Sequence, residues 1–121
     1  MNINAINIGL FSEDEKRTGH INQLLKDPRR RVVIFTFTDF TNKYINLDQF
    51  DILILDLTTG PTFNLNKIAA LRLEKKITGL PILYIINEQQ TDNLVRIQKD
   101  KPIGILQDPF TSFEIGLELF D

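Results

Sequence analysis

The chain has 121 residues, a formal net charge of −2 and no cysteine. This length predicts a single domain over residues 1–121, large enough to bury about two thirds of the unfolded surface. The absence of cysteine excludes disulfide and thiolate chemistry, and a charge this close to zero gives no reason to expect nucleic acid as a partner. With no signal-peptide pattern and no apolar run of membrane-spanning length, we expect a cytoplasmic protein that does not bind membranes.

The first predicted strand is Ala5–Phe11, and a helix is expected directly after it. Ser12 and Glu15 have the spacing of a capping box, which predicts the start of this helix. The Asp27-Pro28 pair ends it. Arg31–Thr38 is β-branched and aromatic, so it predicts a second strand, and its partly alternating pattern suits an outer position in a sheet.

The segment Phe50–Leu57 contains the central strand of the prediction, after a short helix over Thr41–Gln49. Its apolar run Ile52–Leu55 shows no polar alternation, which is typical of a strand covered on both faces in a parallel sheet. The run ends at Asp56. We therefore expect this strand to place a carboxylate at the C-terminal edge of the sheet, where sites form in open α/β folds.

The second half of the chain continues the alternation of strands and helices. Ile82–Ile86 is another uninterrupted apolar run and predicts a buried strand, and Ile103–Leu106 predicts a short fifth strand. The other predicted elements are a polar loop at Thr58–Asn64, helices at Leu65–Lys76, Thr91–Lys99 and Ser112–Phe120, and a turn at Asp108-Pro109. Phe113, Leu117 and Phe120 are expected to pack the last helix.

Strand and helix alternate five times, which predicts right-handed crossovers and an α/β fold. Its doubly wound five-stranded parallel sheet, of order 2-1-3-4-5, would be the middle layer of a flavodoxin-like three-layer sandwich. In this order Glu13 and Asp14, Asp56, and Asp108 follow strands one, three and five along one edge. Carboxylates about 4 Å apart repel by roughly 4 kcal/mol at a dielectric of 20. A hard cation such as Mg²⁺, a raised pKa or intervening water would relieve this repulsion.

Each of these acids also has a purely structural interpretation. Glu13 and Asp14 suit the first turn of a helix because the helix dipole favours acids there. Asp108 suits a turn before Pro109. Other chemistry has little support: the single histidine, His20, is expected on the surface of a helix, and the acidic turn S-E-D-E would repel a phosphate.

Four features, in order along the chain, resemble bacterial response regulator receiver domains. Ser12 and Glu13 stand where that family has an acidic pair, and Asp56 stands where it has the phosphoacceptor aspartate. The run P-I-L-Y-I-I matches the fourth strand, and D-P-F matches the K-P-F that follows the fifth. The resemblance covers nearly the whole chain and implies the receiver fold.

Four positions depart from the family pattern and predict a degenerate switch. Ser12 replaces the first acid, Ile86 the hydroxyl residue, Ile105 the aromatic switch residue and Asp108 the lysine. The resemblance implies that the lysine and the hydroxyl grip the phosphoryl group. A carboxylate at about 4 Å would turn an attraction of roughly 4 kcal/mol into a repulsion of that size. A modification without differential interaction shifts no equilibrium. The same resemblance predicts a cis Asp108-Pro109 bond.

The chain is therefore predicted to be a pseudo-receiver in two-component-type signal transduction. We expect it to act without catalysis or a required cofactor, through protein–protein interaction with another signalling protein or with itself as a homodimer. The resemblance implies a contact face on the fourth helix, fifth strand and last helix, with candidates Leu94, Ile97, Ile105, Phe110 and Phe113. Packing in the core and its margin is the alternative for these five residues.

Two other functions stay open at this point. The first is a phosphorylatable receiver in which Asp56 takes the phosphoryl group, with Mg²⁺ held by Glu13, Asp14 and Asp56. The second is a flavodoxin-like binder of a small ligand, which would need an apolar pocket at the strand ends.

Overall fold

Five strands form one parallel sheet in the order β2-β1-β3-β4-β5. The computed structural model describes residues 5–36, 47–58, 79–88 and 103–119. The strands are β1 (Ile6–Phe11), β2 (Arg30–Phe35), β3 (Ile52–Asp56), β4 (Ile82–Ile86) and β5 (Gly104–Gln107). They are accompanied by α1 (Glu15–Leu25), a 3₁₀ helix at Leu47–Gln49 and α2 (Ser112–Leu119). The predicted α/β class, the sheet order and the outer position of β2 are confirmed.

The two uninterrupted apolar runs form the interior of the sheet. Every residue of β3 and of β4 is buried. At the edges, β2 has only half-buried and exposed residues, and β5 has a single buried residue, Leu106. The register places Ile54 of β3 between Leu10 of β1 and Leu83 of β4, so fully buried residues of three neighbouring strands lie in one line across the sheet. This burial follows from the lack of polar alternation in both runs.

Both faces of the sheet carry an apolar core. On one face α1 and α2 contribute Ile21, Leu25, Ile115 and Leu119 to a buried cluster that includes Ile54. The other face carries a second cluster, built around side chains of β1, β3 and β4 together with Leu47, Phe50 and Leu57. The candidate site lies at the carboxyl ends of the strands, where the two apolar clusters end.

The predicted packing face of the last helix is wrong. α2 packs through Ile115 and Leu119, whereas Phe113 and Leu117 are 72% and 57% exposed. The helix contains two apolar pairs at i,i+4 spacing, and periodicity alone could not choose which pair faces the sheet. Phe120 lies outside the described residues.

The predicted capping box is also wrong. Asp14 is the N-cap of α1, and its Oδ1 accepts the backbone N–H groups of Lys16 at 2.7 Å and Arg17 at 3.3 Å. Aspartate is as good a capping residue as serine. Ser12 does not take this role because its hydroxyl donates to Asp56 instead.

Several predictions lie outside the described residues. They are the helices Leu65–Lys76 and Thr91–Lys99, with Leu94 and Ile97, most of the helix Thr41–Gln49, and most of the loop Thr58–Asn64. None of the described helices is both long enough and apolar enough to cross a bilayer.

Candidate functional site

Backbone hydrogen bonds hold the first residues beyond β1 and β5 at the carboxyl edge of the sheet. The N–H of Ser12 donates to the carbonyl of Phe35 at 3.0 Å, and the N–H of Asp108 donates to the carbonyl of Ile86 at 2.8 Å. Both bonds extend the strand ladder past the end of the strand. The side chains of Ser12 and Asp108 are thereby placed at the same edge as Asp56, the last residue of β3.

Asp56 is fully buried and accepts five hydrogen bonds. Its Oδ2 accepts from the Ser12 hydroxyl at 2.8 Å and from Arg17 Nε at 3.3 Å. Its Oδ1 accepts from Arg17 Nη2 at 3.2 Å, from the Thr58 N–H at 3.2 Å and from the Thr58 hydroxyl at 2.6 Å. A carboxylate offers about four lone-pair sites, so the acceptor capacity of Asp56 is fully used.

Arg17 joins Asp56 to Asp108. Its Nη1 donates to Asp108 Oδ1 at 2.8 Å, so one guanidinium bonds two carboxylates that follow different strands. The Arg17 side chain is 18% exposed. Burial by itself lowers the pKa of Arg17, but hydrogen bonds to Asp56 and Asp108, and the charges of both, raise that pKa above its ordinary value. Arg17 is therefore a permanent cation at this edge.

The structure brings three of the predicted positions together and leaves two apart. Ser12, Asp56 and Asp108 meet around Arg17. Glu13 and Asp14 are exposed, and the Asp14 carboxylate caps α1 instead. Within the described ranges, no three histidine, aspartate or glutamate side chains form a group that could hold a metal ion.

The positions predicted as switch or contact residues have different environments. Ile86 is 1% exposed, and Ile105 packs half-buried against the cluster that contains Ile86. Phe110 is 6% exposed and belongs to the core beneath α1 and α2, which favours the alternative of core packing for this residue. Phe113 is exposed. The predicted cis Asp108-Pro109 bond is confirmed.

Arg17 and Thr58 are the site residues that the sequence analysis missed. A cation in the first turn of a helix is disfavoured by the helix dipole, so Arg17 signalled the need for a nearby anion. Thr58 follows Asp56 at the i+2 spacing of an Asx turn. Its carbonyl also accepts the Asn87 side-chain amide at 3.4 Å, which connects the loop after β3 to the end of β4.

An open cleft of about 490 Å³ lies at the opposite edge of the sheet, between the end of α1 and the start of β2. It is lined by Asn22, Gln23, Leu25, Lys26, Asp27, Pro28, Arg30 and Val32. Within this lining, Arg30 Nη1 donates to the Leu25 carbonyl at 3.0 Å. This cleft is remote from Asp56 and has a mixed polar lining, unlike the apolar pocket expected at the strand ends.

Comparison with known proteins finds similar solved structures but no matching sequence family. No protein-family model matches the chain, and a search of curated proteins finds no match. The receiver domain of HemR from Leptospira biflexa, in its non-phosphorylated form, matches with 23% identity and a TM-score of 0.75. That match covers 95% of this chain and 91% of that chain.

Two further solved structures have the same fold. A CheY-like response regulator from Mesorhizobium loti has 22% identity and a TM-score of 0.71, over 96% of this chain and 97% of that chain. A sensor protein from Polaromonas has 16% identity and a TM-score of 0.78, over 95% and 93%. The chain thus resembles response regulator receiver domains and has their fold.

Proposed function

We propose that this chain is a pseudo-receiver, a signalling module that works by protein contact while Asp56 serves as a structural anion. One observation carries the proposal. Both oxygens of Asp56 are engaged by Ser12, Arg17 and Thr58, and the side chain has no exposed surface. A regulated phosphoacceptor needs an oxygen lone pair that a phosphodonor can reach. Here the phosphodonor would first have to displace Arg17.

The charge at position 108 supports the same conclusion. A phosphoryl group on Asp56 would add negative charge beside the Asp108 carboxylate, which already shares the one guanidinium of Arg17. At about 4 Å and a dielectric of 20, each unit of added charge meets a repulsion of roughly 4 kcal/mol. The apolar side chain of Ile86 supplies no hydrogen bond that could offset it. Phosphorylation of Asp56 would therefore be electrostatically opposed, and it would not drive a change of conformation.

The residues present do not fit a magnesium site of the kind that receiver domains imply. The acids next to β1 are Glu13 and Asp14, which are exposed, and Asp14 is committed to capping α1. The acceptor capacity of Asp56 is used by donors, one of them cationic. We infer that the domain needs no metal and no catalytic step for its role.

The contact surface in this proposal is the exposed side of α2. Phe113 and Leu117 lie one helical turn apart, and both are more than half exposed although large and apolar. α2 already buries Ile115 and Leu119 against the sheet, so this second apolar side has no part in the core. Such a surface suits a second signalling protein or a second copy of the chain.

The phosphorylation state after exposure to a small phosphodonor tests the proposal. Intact-mass spectra are compared after incubation with acetyl phosphate and Mg²⁺, for the wild-type chain and for Asp56→Asn. We expect no added phosphoryl mass in either protein, with circular dichroism showing that both are folded. One phosphoryl group on the wild type, absent from Asp56→Asn, would instead establish a phosphorylatable receiver.

Self-association tests the contact surface separately. Sedimentation velocity over a range of concentrations is compared for the wild type, Phe113→Asp, and Gln23→Glu as a matched exposed control on α1. If the partner is a second copy, Phe113→Asp remains monomeric at concentrations where the other two dimerise. Monomeric behaviour of all three directs the search to another signalling protein.

A further inference from the structure

Arg17 lies at a helix end where a cation is disfavoured, and each of its three guanidinium nitrogens donates a hydrogen bond to a carboxylate. It lies in the first turn of α1, where exposed N–H groups and the helix dipole disfavour positive charge. Nε and Nη2 donate to Asp56, and Nη1 donates to Asp108. The attraction of Arg17 to Asp56 and Asp108 outweighs its unfavourable interaction with the helix dipole, so Arg17 has an electrostatic role at this position.

The two carboxylates reach Arg17 from strands that are not neighbours. β4 lies between β3, which ends in Asp56, and β5, which Asp108 follows. The Arg17 guanidinium therefore spans the carboxyl end of β4 and holds Asp56 and Asp108 close to α1. Attraction to a shared positive charge is also how a hard divalent cation would organise two carboxylates.

We propose that Arg17 is a resident counter-ion that takes the place of a divalent cation at this edge. The domain then keeps the same arrangement of Asp56 and Asp108 whatever the Mg²⁺ concentration. Without Arg17, the two carboxylates and the hydroxyls of Ser12 and Thr58 would form an oxygen-rich edge that attracts Mg²⁺. The inference rests on the proposed function, since it explains why the site at the carboxyl edge of the sheet would not take part in phosphorylation.

The experiment measures how Mg²⁺ changes the melting temperature of the wild type, Arg17→Gln and Arg17→Lys. Each MgCl₂ concentration is matched by KCl of equal ionic strength. The wild type and Arg17→Lys are expected to show no shift specific to Mg²⁺, because both keep the positive charge. Arg17→Gln is expected to melt lower without Mg²⁺ and to regain on the order of 3–6 °C at saturating Mg²⁺.

Calorimetric titration with MgCl₂ identifies the ligands. Binding is expected for Arg17→Gln, and its loss is expected in Arg17→Gln combined with Asp108→Asn. An Arg17 of purely structural importance would instead lower the melting temperature of Arg17→Gln equally with and without Mg²⁺, which would overturn the inference. An Arg17→Gln protein that stays unfolded at every Mg²⁺ concentration overturns it as well.

Failure of this inference can be told apart from failure of the proposed function. A shift of the wild-type melting temperature that is specific to Mg²⁺ and is lost in Asp56→Asn, without any phosphoryl mass after acetyl phosphate, contradicts the counter-ion role of Arg17 and the poor fit of the site for Mg²⁺, but it leaves the pseudo-receiver role standing. Gain of phosphoryl mass on Asp56 contradicts the proposed function itself.

Discussion

Two arginine–aspartate pairs lie at opposite edges of this sheet and differ in what they organise. Arg17 bonds Asp56 and Asp108, which are 39 and 91 residues away in sequence. Arg29 bonds Asp27, two residues away, and its side chain is 52% exposed. The same pair of residue types therefore fixes three separate chain segments at one edge and a single turn at the other.

The difference lies in burial rather than in bond length. Arg29 donates to both oxygens of Asp27 at 3.0 Å, distances as short as those around Asp56. Water screens the exposed pair, so its net contribution is small. At the carboxyl edge the fully buried Asp56 has no water to replace a lost partner, so removal of Arg17 leaves a buried charge. Four measurements test whether burial explains why the Arg17 and Arg29 interactions contribute differently to stability.

Arg17→Met is expected to have the largest effect. Among the described residues, it leaves the buried Asp56 carboxylate with the Ser12 and Thr58 donors. Loss of a partner of a buried charge costs about 3 kcal/mol or more in unfolding free energy. Urea denaturation without Mg²⁺ measures this. The matched control is Arg29→Met, which should stay within error of the wild type. Equal effects of the two substitutions would show that burial does not separate the pairs.

Asp56→Asn is expected to come second. The amide keeps the shape of the side chain, and Arg17 keeps its bond to Asp108, but one of the two oxygens becomes an NH₂ group that faces donors. We expect a loss of about 2 kcal/mol, the cost of unsatisfied buried donors. The measurement is the same urea midpoint. A protein more stable than wild type would show that burial of the charge outweighs its five hydrogen bonds.

Asp108→Asn is expected to cost less, about 1 kcal/mol or below, because this carboxylate is 30% exposed and its bond to Arg17 is partly screened. A double-mutant cycle with Arg17→Met measures the coupling of the two side chains. A coupling energy larger than that between Arg17 and Asp56 would place the centre of the network at Asp108 and reverse the expected ranking of the two aspartates.

Acid should affect the exposed pair in a defined direction. Hydrogen bonds from the Arg29 side chain and backbone lower the pKa of Asp27 in the folded protein. A lowered folded pKa gives stability that is complete above the unfolded value of about 3.9 and is lost as the pH falls below it. The small stability difference between wild type and Asp27→Asn should therefore shrink from pH 7 to pH 3. A difference that grows on acidification would contradict the assigned cause.

The sequence was most informative where one local pattern has one structural solution. The uninterrupted run Ile52–Leu55 predicts a strand buried on both faces, and β3 is that strand. The second run, Ile82–Ile86, has the same bounds in the structure as in the prediction. Alternation with helices then left a parallel sheet as the expected arrangement. The placement of Asp56 at the carboxyl edge followed from these elements alone.

Predictions failed where two local patterns were equally good. Either Ser12 or Asp14 could cap α1, and the structure uses Asp14 because the Ser12 hydroxyl donates to Asp56. Either apolar pair of α2 could face the sheet, and Ile115 rather than Phe113 does so. Both choices depend on what each side chain meets across the fold, which local periodicity does not contain.

Local sequence patterns were sufficient to predict the parallel α/β sheet, its order and the positions of Asp56 and Asp108 along one edge, because apolar runs mark buried strands and crossovers between parallel strands are almost always right-handed. They were not sufficient to predict which cation joins those acids. Arg17 is one of 14 lysine and arginine residues, and nothing near it in sequence marks Asp56 or Asp108 as its partners. Its role arises only when α1 packs beside the ends of β3 and β5, because Coulomb attraction depends on distance in space.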